Sequence, residues 1–130
     1  MGDYEGNDRP TIDADANVPL HIFSHRLPHA VVITAAGEVD LATSGHLKNV
    51  VQAEFDGRPG IVVIELSAVT FLSSVGLAVL VEAERTADRS RQSLRIVVRD
   101  GRPVVRAIAA SGLTDHLPVF RSLDEALAAV

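Results

Sequence analysis

The chain has 130 residues, of which 47% are apolar, so it is long enough and apolar enough for one folded domain. It has no cysteine, which excludes disulfides and thiolate chemistry. A formal net charge of -5 and an aromatic content of 4% argue against a nucleic-acid or anionic-membrane partner. No apolar run approaches the roughly 18 residues that span a bilayer. The amino terminus has no basic region followed by an apolar one, so we expect a cytoplasmic protein.

Residues 1–17 differ in composition from the rest of the chain. Five acidic residues, two glycines and a proline occur there among few apolar ones. Such a segment buries too little surface to offset the entropy lost on ordering. We therefore expect a disordered acidic tail over residues 1–17 and one domain over residues 18–130.

The first half of this domain predicts two strands, a helix and a third strand. Residues 18–23 and 30–36 are strand candidates joined by a short turn, which favours an antiparallel hairpin. A nearly continuous apolar run at 61–66 follows a glycine- and proline-containing turn and is typical of a buried strand. Between them, one helical stripe is formed by Leu47, Val50, Val51 and Phe55.

The second half continues the alternation. Residues 75–87 begin apolar and become polar, which predicts a helix whose first turns are buried. Residues 94–98 and 119–120 are further strand candidates. Pro103 suits the first position of a helix that ends at Gly112 and turns inward Val104, Val105, Ile108 and Ala109. A capping box at 122–125 begins a last helix, with one face formed by Leu123, Ala126, Leu127 and Val130.

The predicted order is therefore β-β-α-β-α-β-α-β-α. Helices between strands favour parallel pairing with right-handed crossovers. The fold class is α/β, with a mixed, mostly parallel sheet of four to five strands and about four helices. So short a chain is expected to leave one sheet face thinly covered.

The loop between the strand at 61–66 and the following helix is the candidate site. Ser74 lies at or next to the helix N-cap, where a serine oxygen accepts from free backbone N–H groups. Such loops, at the carboxyl ends of strands, are where open α/β sheets bind ligands. A helix N-terminus also tolerates a phosphate, which would add close to two negative charges there. The residues alone thus support two interpretations of Ser74, a simple helix cap or a phosphorylation switch.

Three sequence motifs resemble those of the STAS domain family, and within it the bacterial anti-sigma factor antagonists. The family signature is Phe, an apolar residue, Asp, Ser, Ser, Gly, Leu, Gly, and residues 71–77 (FLSSVGL) match it at five positions. A second motif, Gly-Glu-apolar-Asp, is intact at 37–40. A weaker match occurs at 111–113 and 117–119. The resemblance covers about residues 18–130.

The resemblance implies a regulatory protein and not an enzyme. In the family, the serine aligned with Ser74 is the phosphoacceptor. The dephosphorylated protein binds an anti-sigma factor, which is commonly also the serine kinase, and so frees a sigma factor in transcription and stress responses. A protein phosphatase restores binding. By this resemblance the partner-binding residues are Glu38, Asp40, Ser73, Ser74, Val75 and Gly76.

Two positions depart from the signature. Ser73 replaces the usual Asp, and Val75 replaces the usual second Ser. Loss of the acidic neighbour removes like-charge repulsion against a phosphate on Ser74 and makes Ser73 a rival acceptor. Constitutive partner binding and phosphorylation by an unusual kinase both remain open.

Other site chemistries find little support in the sequence. His21, His25 and His29 fall in strand and turn candidates, where residues four apart are about 13 Å from each other, so no metal site is predicted. Neither Gly-x-Ser-x-Gly nor a glycine-rich phosphate loop occurs, and no cofactor is expected. Glu38 and Asp40 could form an acid/base pair, but Asp40 or Thr43 as a helix cap is favoured. A nucleotide- or lipid-sensing STAS module and a subunit of a larger signalling assembly stay as alternative functions.

Overall fold

A computed structural model describes residues 19–129, and the fold begins with an antiparallel hairpin. Strand β1 (Leu20–Arg26) pairs with β2 (Ala30–Val39), and the turn is closed by the Leu27 N–H, which donates to the Ala30 carbonyl at 2.8 Å. This confirms the predicted hairpin. The acidic tail predicted for residues 1–17 lies outside the described residues.

The remaining elements follow in the predicted order. They are α1 (Ser44–Asp56), β3 (Ile61–Leu72), α2 (Ser74–Ser90), β4 (Ser93–Val97), α3 (Pro103–Ala110), β5 (Val119–Phe120) and α4 (Leu123–Ala128). Within residues 19–129 the strands form one sheet in the order β1-β2-β3-β4-β5, parallel from β2 onwards. The predicted mixed sheet with four helices is therefore confirmed. None of the helices within residues 19–129 has both the length and the hydropathy of a membrane-spanning segment.

The two faces of the sheet are covered unequally. Alternate residues of β2 and β3 pack with α1, α2 and α3 in the main core, which includes Ile33, Leu47, Ile64, Leu80 and Ile108. The opposite face carries only α4 among the described helices, with a small cluster of Val32, Val63, Val97 and Ala126. The thin coverage expected for one face is thus observed.

Strand β3 is six residues longer than the sequence pattern predicted. Polar residues such as Ser67 and Thr70 interrupt its apolar run, and the Ser67 N–H donates to the Glu65 carboxylate at 2.7 Å where the register with β2 shifts. Beyond this irregularity the pairing resumes, with Leu72 opposite Val39. The extension matters because it brings the ends of β2 and β3 together.

The helix ends follow the sequence signals closely. Pro103 is the first residue of α3, and Gly112 adopts a left-handed φ of 78° just after the helix, as predicted. The Ser122 hydroxyl accepts from the Glu125 N–H at 3.1 Å and caps α4. One prediction is wrong: Ala109 was expected to face inward but is exposed. The buried residues of α3 are Val104 and Ile108.

Candidate functional site

The candidate site lies where β2 and β3 end side by side. The backbone N–H of Ser73 donates to the carbonyl oxygen of Val39 at 2.9 Å, one residue beyond the last pair of the two strands. This bond joins the loop that enters α2 to the loop that enters α1. The segments carrying the motifs at 37–40 and 71–77 therefore meet at the carboxyl edge of the sheet.

Ser73, and not Ser74, is the N-cap of α2. Its backbone is extended, its side-chain oxygen accepts from the Gly76 N–H at 3.2 Å, and its carbonyl accepts from the Leu77 N–H at 2.9 Å. Ser74 is the first residue of the helix and is exposed. The interpretation of Ser74 as a simple cap is wrong, because its neighbour has that role.

The Ser74 hydroxyl is therefore available to a reagent from outside. Among residues 19–129, it makes no hydrogen bond to another residue. It stands at the positive end of the helix dipole of a 17-residue helix whose first turn carries no acidic side chain. An anionic group on this oxygen would meet a favourable field from its own helix.

Gly76 allows the first turn of α2 to pack closely against the ends of β2 and β3. A Cβ atom at Gly76 would lie 2.6 Å from the Leu72 Cδ1 atom and 2.8 Å from the Val39 Cγ1 atom, both of which are buried side chains. Only a residue without a side chain lets α2 approach β2 this closely. Gly76 is itself buried, so its place in the site is one of packing.

Asp40 holds the loop between β2 and α1. Its Oδ1 atom accepts from the Ala42 N–H at 3.0 Å and from the Thr43 N–H at 3.1 Å. The Thr43 hydroxyl donates to the Glu38 carbonyl at 2.7 Å and accepts from the Asp40 N–H at 2.9 Å. Thr43 occupies the N-cap position without a side-chain cap bond, so of the two predicted caps it is Asp40 that satisfies the free N–H groups before α1.

Three large apolar side chains at this edge are exposed. Two of them, Leu41 and Phe71, were not predicted as site residues. Leu41 is 81% exposed, Phe71 is 50% exposed and Val75 is 38% exposed. Val75 was expected at the start of a buried helical turn, which is wrong, because the first turn of α2 buries Gly76 against β2 and leaves Val75 on its exposed side. The available signal was an apolar residue directly after the Gly-Glu-apolar-Asp motif, where a solvated loop would carry a polar one.

Two open grooves leave the site along α2. One begins at Val75 and runs between α1 and α2, past Gly45, Lys48 and Glu82. The other is lined by Ser74, Leu77, Ala78, Ser111 and Leu113, so it lies between α2 and the end of α3. Residues 111–113 of the third motif thus border the same groove as Ser74. No group of three His, Asp or Glu residues in the described part of the chain could hold a metal ion.

Comparisons with known proteins identify the family. Residues 22–126 match the STAS domain. Two relatives from Mycobacterium tuberculosis are the anti-sigma-F factor antagonists RsfB and RsfA. RsfB is 36% identical over 100 residues, which cover 76% of this chain and 80% of RsfB. RsfA is 34% identical over 102 residues, which cover 77% of this chain and 79% of RsfA.

A solved structure extends the likeness to three dimensions. The crystal structure of an anti-sigma factor antagonist from Mycobacterium paratuberculosis superimposes with a TM-score of 0.78 at 31% sequence identity. The match covers 85% of this chain and 93% of that protein. The fold predicted by the resemblance is therefore confirmed.

Proposed function

The chain belongs to the STAS domain family, among its anti-sigma factor antagonists, and we propose that it binds an anti-sigma factor until Ser74 is phosphorylated. Binding takes the anti-sigma factor away from its sigma factor and permits transcription. The protein acts in the cytoplasm as a regulatory binding protein and not as an enzyme. The anti-sigma factor is of the serine kinase type, and a protein phosphatase reverses the modification.

The observation that carries this proposal is the division of labour between two adjacent serines. Ser73 uses its side-chain oxygen to cap α2, at 3.2 Å from the Gly76 nitrogen, whereas Ser74 is exposed at the next position. A phosphoryl group on Ser73 would disturb the cap, while one on Ser74 leaves it in place. This favours Ser74 over Ser73 as the acceptor.

The fold can carry a phosphate on Ser74 with little change. Negative charge in the first turn of a helix is stabilising by about 0.3–1 kcal/mol. The consequence falls instead on the surface, which gains close to two negative charges next to exposed apolar side chains. A modification that is neutral for folding and large for binding is what a switch requires.

The partner surface is proposed to include the residues carried over from the family motif. Glu38, Ser74 and Val75 are exposed, which leaves all three accessible to a partner. Asp40 and Ser73 contribute by holding the two loops in shape, through the hydrogen bonds described above. Gly76 contributes by its close approach to β2.

The test combines site mapping with binding. A purified kinase-type anti-sigma factor from the same host is incubated with the chain and ATP, and the phosphorylated residue is located by mass spectrometry. We expect the label on Ser74 in the wild type and in Ser73→Ala, and no label in Ser74→Ala. Ser74→Glu is expected to bind this anti-sigma factor more weakly than Ser74→Ala does. A label on Ser73, or equal binding of the two Ser74 variants, would contradict the proposal.

A further inference from the structure

We propose that the anti-sigma factor contacts this chain through an apolar surface, anchored on the exposed side chains of Leu41, Phe71 and Val75, here called the apolar triad. This inference rests on the proposed function and specifies the chemistry of the partner. The partner's matching surface is apolar, and phosphate on Ser74 ends binding because it places a charge that would be stripped of water inside that contact.

The three residues of the apolar triad come from segments that meet at the carboxyl edge of the sheet. Phe71 lies opposite Glu38 in the paired ends of β3 and β2, and because both alternate with the core residues Val39 and Leu72, they face away from α1 and α2. Leu41 follows two residues after Val39, whose carbonyl accepts from the Ser73 N–H. Val75 follows Ser74 directly in α2 and opens the groove towards α1. Ser74 lies between Phe71 and Val75 in the chain, so an apolar partner surface that bridges this edge from Phe71 to Val75 would also cover the Ser74 hydroxyl.

Leu41 is presented on a rigid loop, which distinguishes it from an apolar residue on a mobile tip. The loop is held on both sides of Leu41 by the Asp40 carboxylate and the Thr43 hydroxyl, and Thr43 is only 9% exposed. A fixed anchor loses less entropy on binding than a flexible one. Asp40 is in this view a positioning residue that acts through Leu41, and not a contact residue.

The proposed direction of the switch, in which phosphorylation weakens binding, also favours an apolar partner surface. Arginine and lysine side chains facing Ser74 would form charge-assisted hydrogen bonds with a phosphate and would bind the phosphorylated form more tightly. Release on phosphorylation requires the opposite, a contact in which the phosphate has no partner.

The chain offers matched controls for a binding experiment. Phe23 is 66% exposed on β1, opposite Thr34 and five residues back along β2 from Val39. Leu27 is 36% exposed in the hairpin turn, at the other end of β2. Phe23→Ser and Leu27→Ser therefore repeat the chemical change of Phe71→Ser and Leu41→Ser at a distance from Ser74. All four positions are exposed enough for the variants to fold, which thermal melting followed by circular dichroism verifies.

Binding of the purified anti-sigma factor is measured by calorimetry for these variants and for the chain phosphorylated on Ser74. We expect Leu41→Ser and Phe71→Ser each to weaken affinity at least about tenfold, and both controls to stay within about twofold. Wild-type affinity should change by less than about threefold between 0.05 and 0.5 M salt, since apolar contacts are not screened.

Three outcomes would overturn the inference. They are wild-type affinity in Leu41→Ser and Phe71→Ser, a steep loss of affinity with salt, or tighter binding of the phosphorylated chain. The first two would leave the proposed function standing, provided that wild type binds and Ser74→Glu does not. A wild-type chain that binds no anti-sigma factor would overturn the proposed function and this inference together.

Discussion

The Ser73 N–H donates to the Val39 carbonyl oxygen at 2.9 Å, and this bond fixes the start of α2 against the end of β2. It continues the ladder between β2 and β3 by one more residue, so the helix begins where the sheet ends. Ser74, the next residue, is consequently held in a defined position at the edge of the sheet.

Gly76 is required by the close approach of α2 to β2. We predict that Gly76→Ala lowers the free energy of unfolding by about 1–3 kcal/mol, because the added methyl group would overlap buried side chains of Leu72 and Val39. Gly45→Ala in α1 is the control, since beyond its chain neighbours and its own helix backbone no atom lies within 4 Å of a Cβ there. Alanine should stabilise that helix by up to about 1 kcal/mol. Urea denaturation measures both, and equal effects would contradict the packing argument.

The two serines should separate cleanly in stability. We predict that Ser73→Ala lowers the free energy of unfolding by about 1 kcal/mol, because the Gly76 N–H loses its acceptor. Ser74→Ala should stay within about 0.5 kcal/mol of wild type, since the Ser74 side chain is exposed. Chemical denaturation decides between them. The reverse order would mean that Ser74 is the cap after all.

The loop that carries Leu41 depends on the Thr43 hydroxyl. We predict that Thr43→Val costs about 1–3 kcal/mol, because the Glu38 carbonyl and the Asp40 N–H lose their partner at a nearly buried position. Thr70→Val is the control, since the Thr70 hydroxyl makes one exposed bond of 3.3 Å and its loss should cost no more than about 0.5 kcal/mol. A Thr43→Val chain as stable as Thr70→Val would show that the loop is held by other contacts.

Glu84 gives a pH-dependent prediction. Burial raises the pKa of the Glu84 carboxyl group, and the nearby Asp88 charge raises it further. A carboxyl group whose pKa is higher in the folded than in the unfolded chain destabilises the fold once it is ionised. Glu84→Gln should therefore raise the melting temperature near neutral pH. The gain should shrink as the pH falls through the folded-state pKa and vanish below the ordinary glutamate value of 4.5.

Glu82→Gln serves as the counterpart, because Glu82 is paired with Arg89 at 3.4 Å on the exposed side of α2. This substitution should not raise the melting temperature at any pH. A gain at Glu84 that persists unchanged in acid, or an equal gain at Glu82, would contradict the electrostatic explanation.

The order of elements and the fold class could be predicted because local signals agreed with the fold. Apolar runs marked the strand cores, Pro103 and Gly112 marked the ends of α3, and the capping box marked the start of α4. Each of these signals acts over a few residues. They can therefore be recognised in the sequence before any tertiary contact is known.

Features that depend on tertiary contacts could not be predicted from the pattern. The last six residues of β3 contain Ser67 and Thr70, which hide the strand until its pairing with β2 is known. Ser73 and Ser74 both suit an N-cap by residue type. The choice of Ser73 depends on a tertiary contact, the bond from its N–H to the Val39 carbonyl. The exposure of Leu41 follows from a turn whose shape is set by hydrogen bonds to Asp40 and Thr43.

The most direct test of the account is the affinity of the chain for its anti-sigma factor with and without a phosphate on Ser74. The phosphorylated chain can be made with phosphoserine incorporated at that one position, and both forms compared by calorimetry. The account predicts that the unmodified chain binds and that the phosphate weakens binding at least about a hundredfold. Equal or tighter binding of the phosphorylated chain would contradict it.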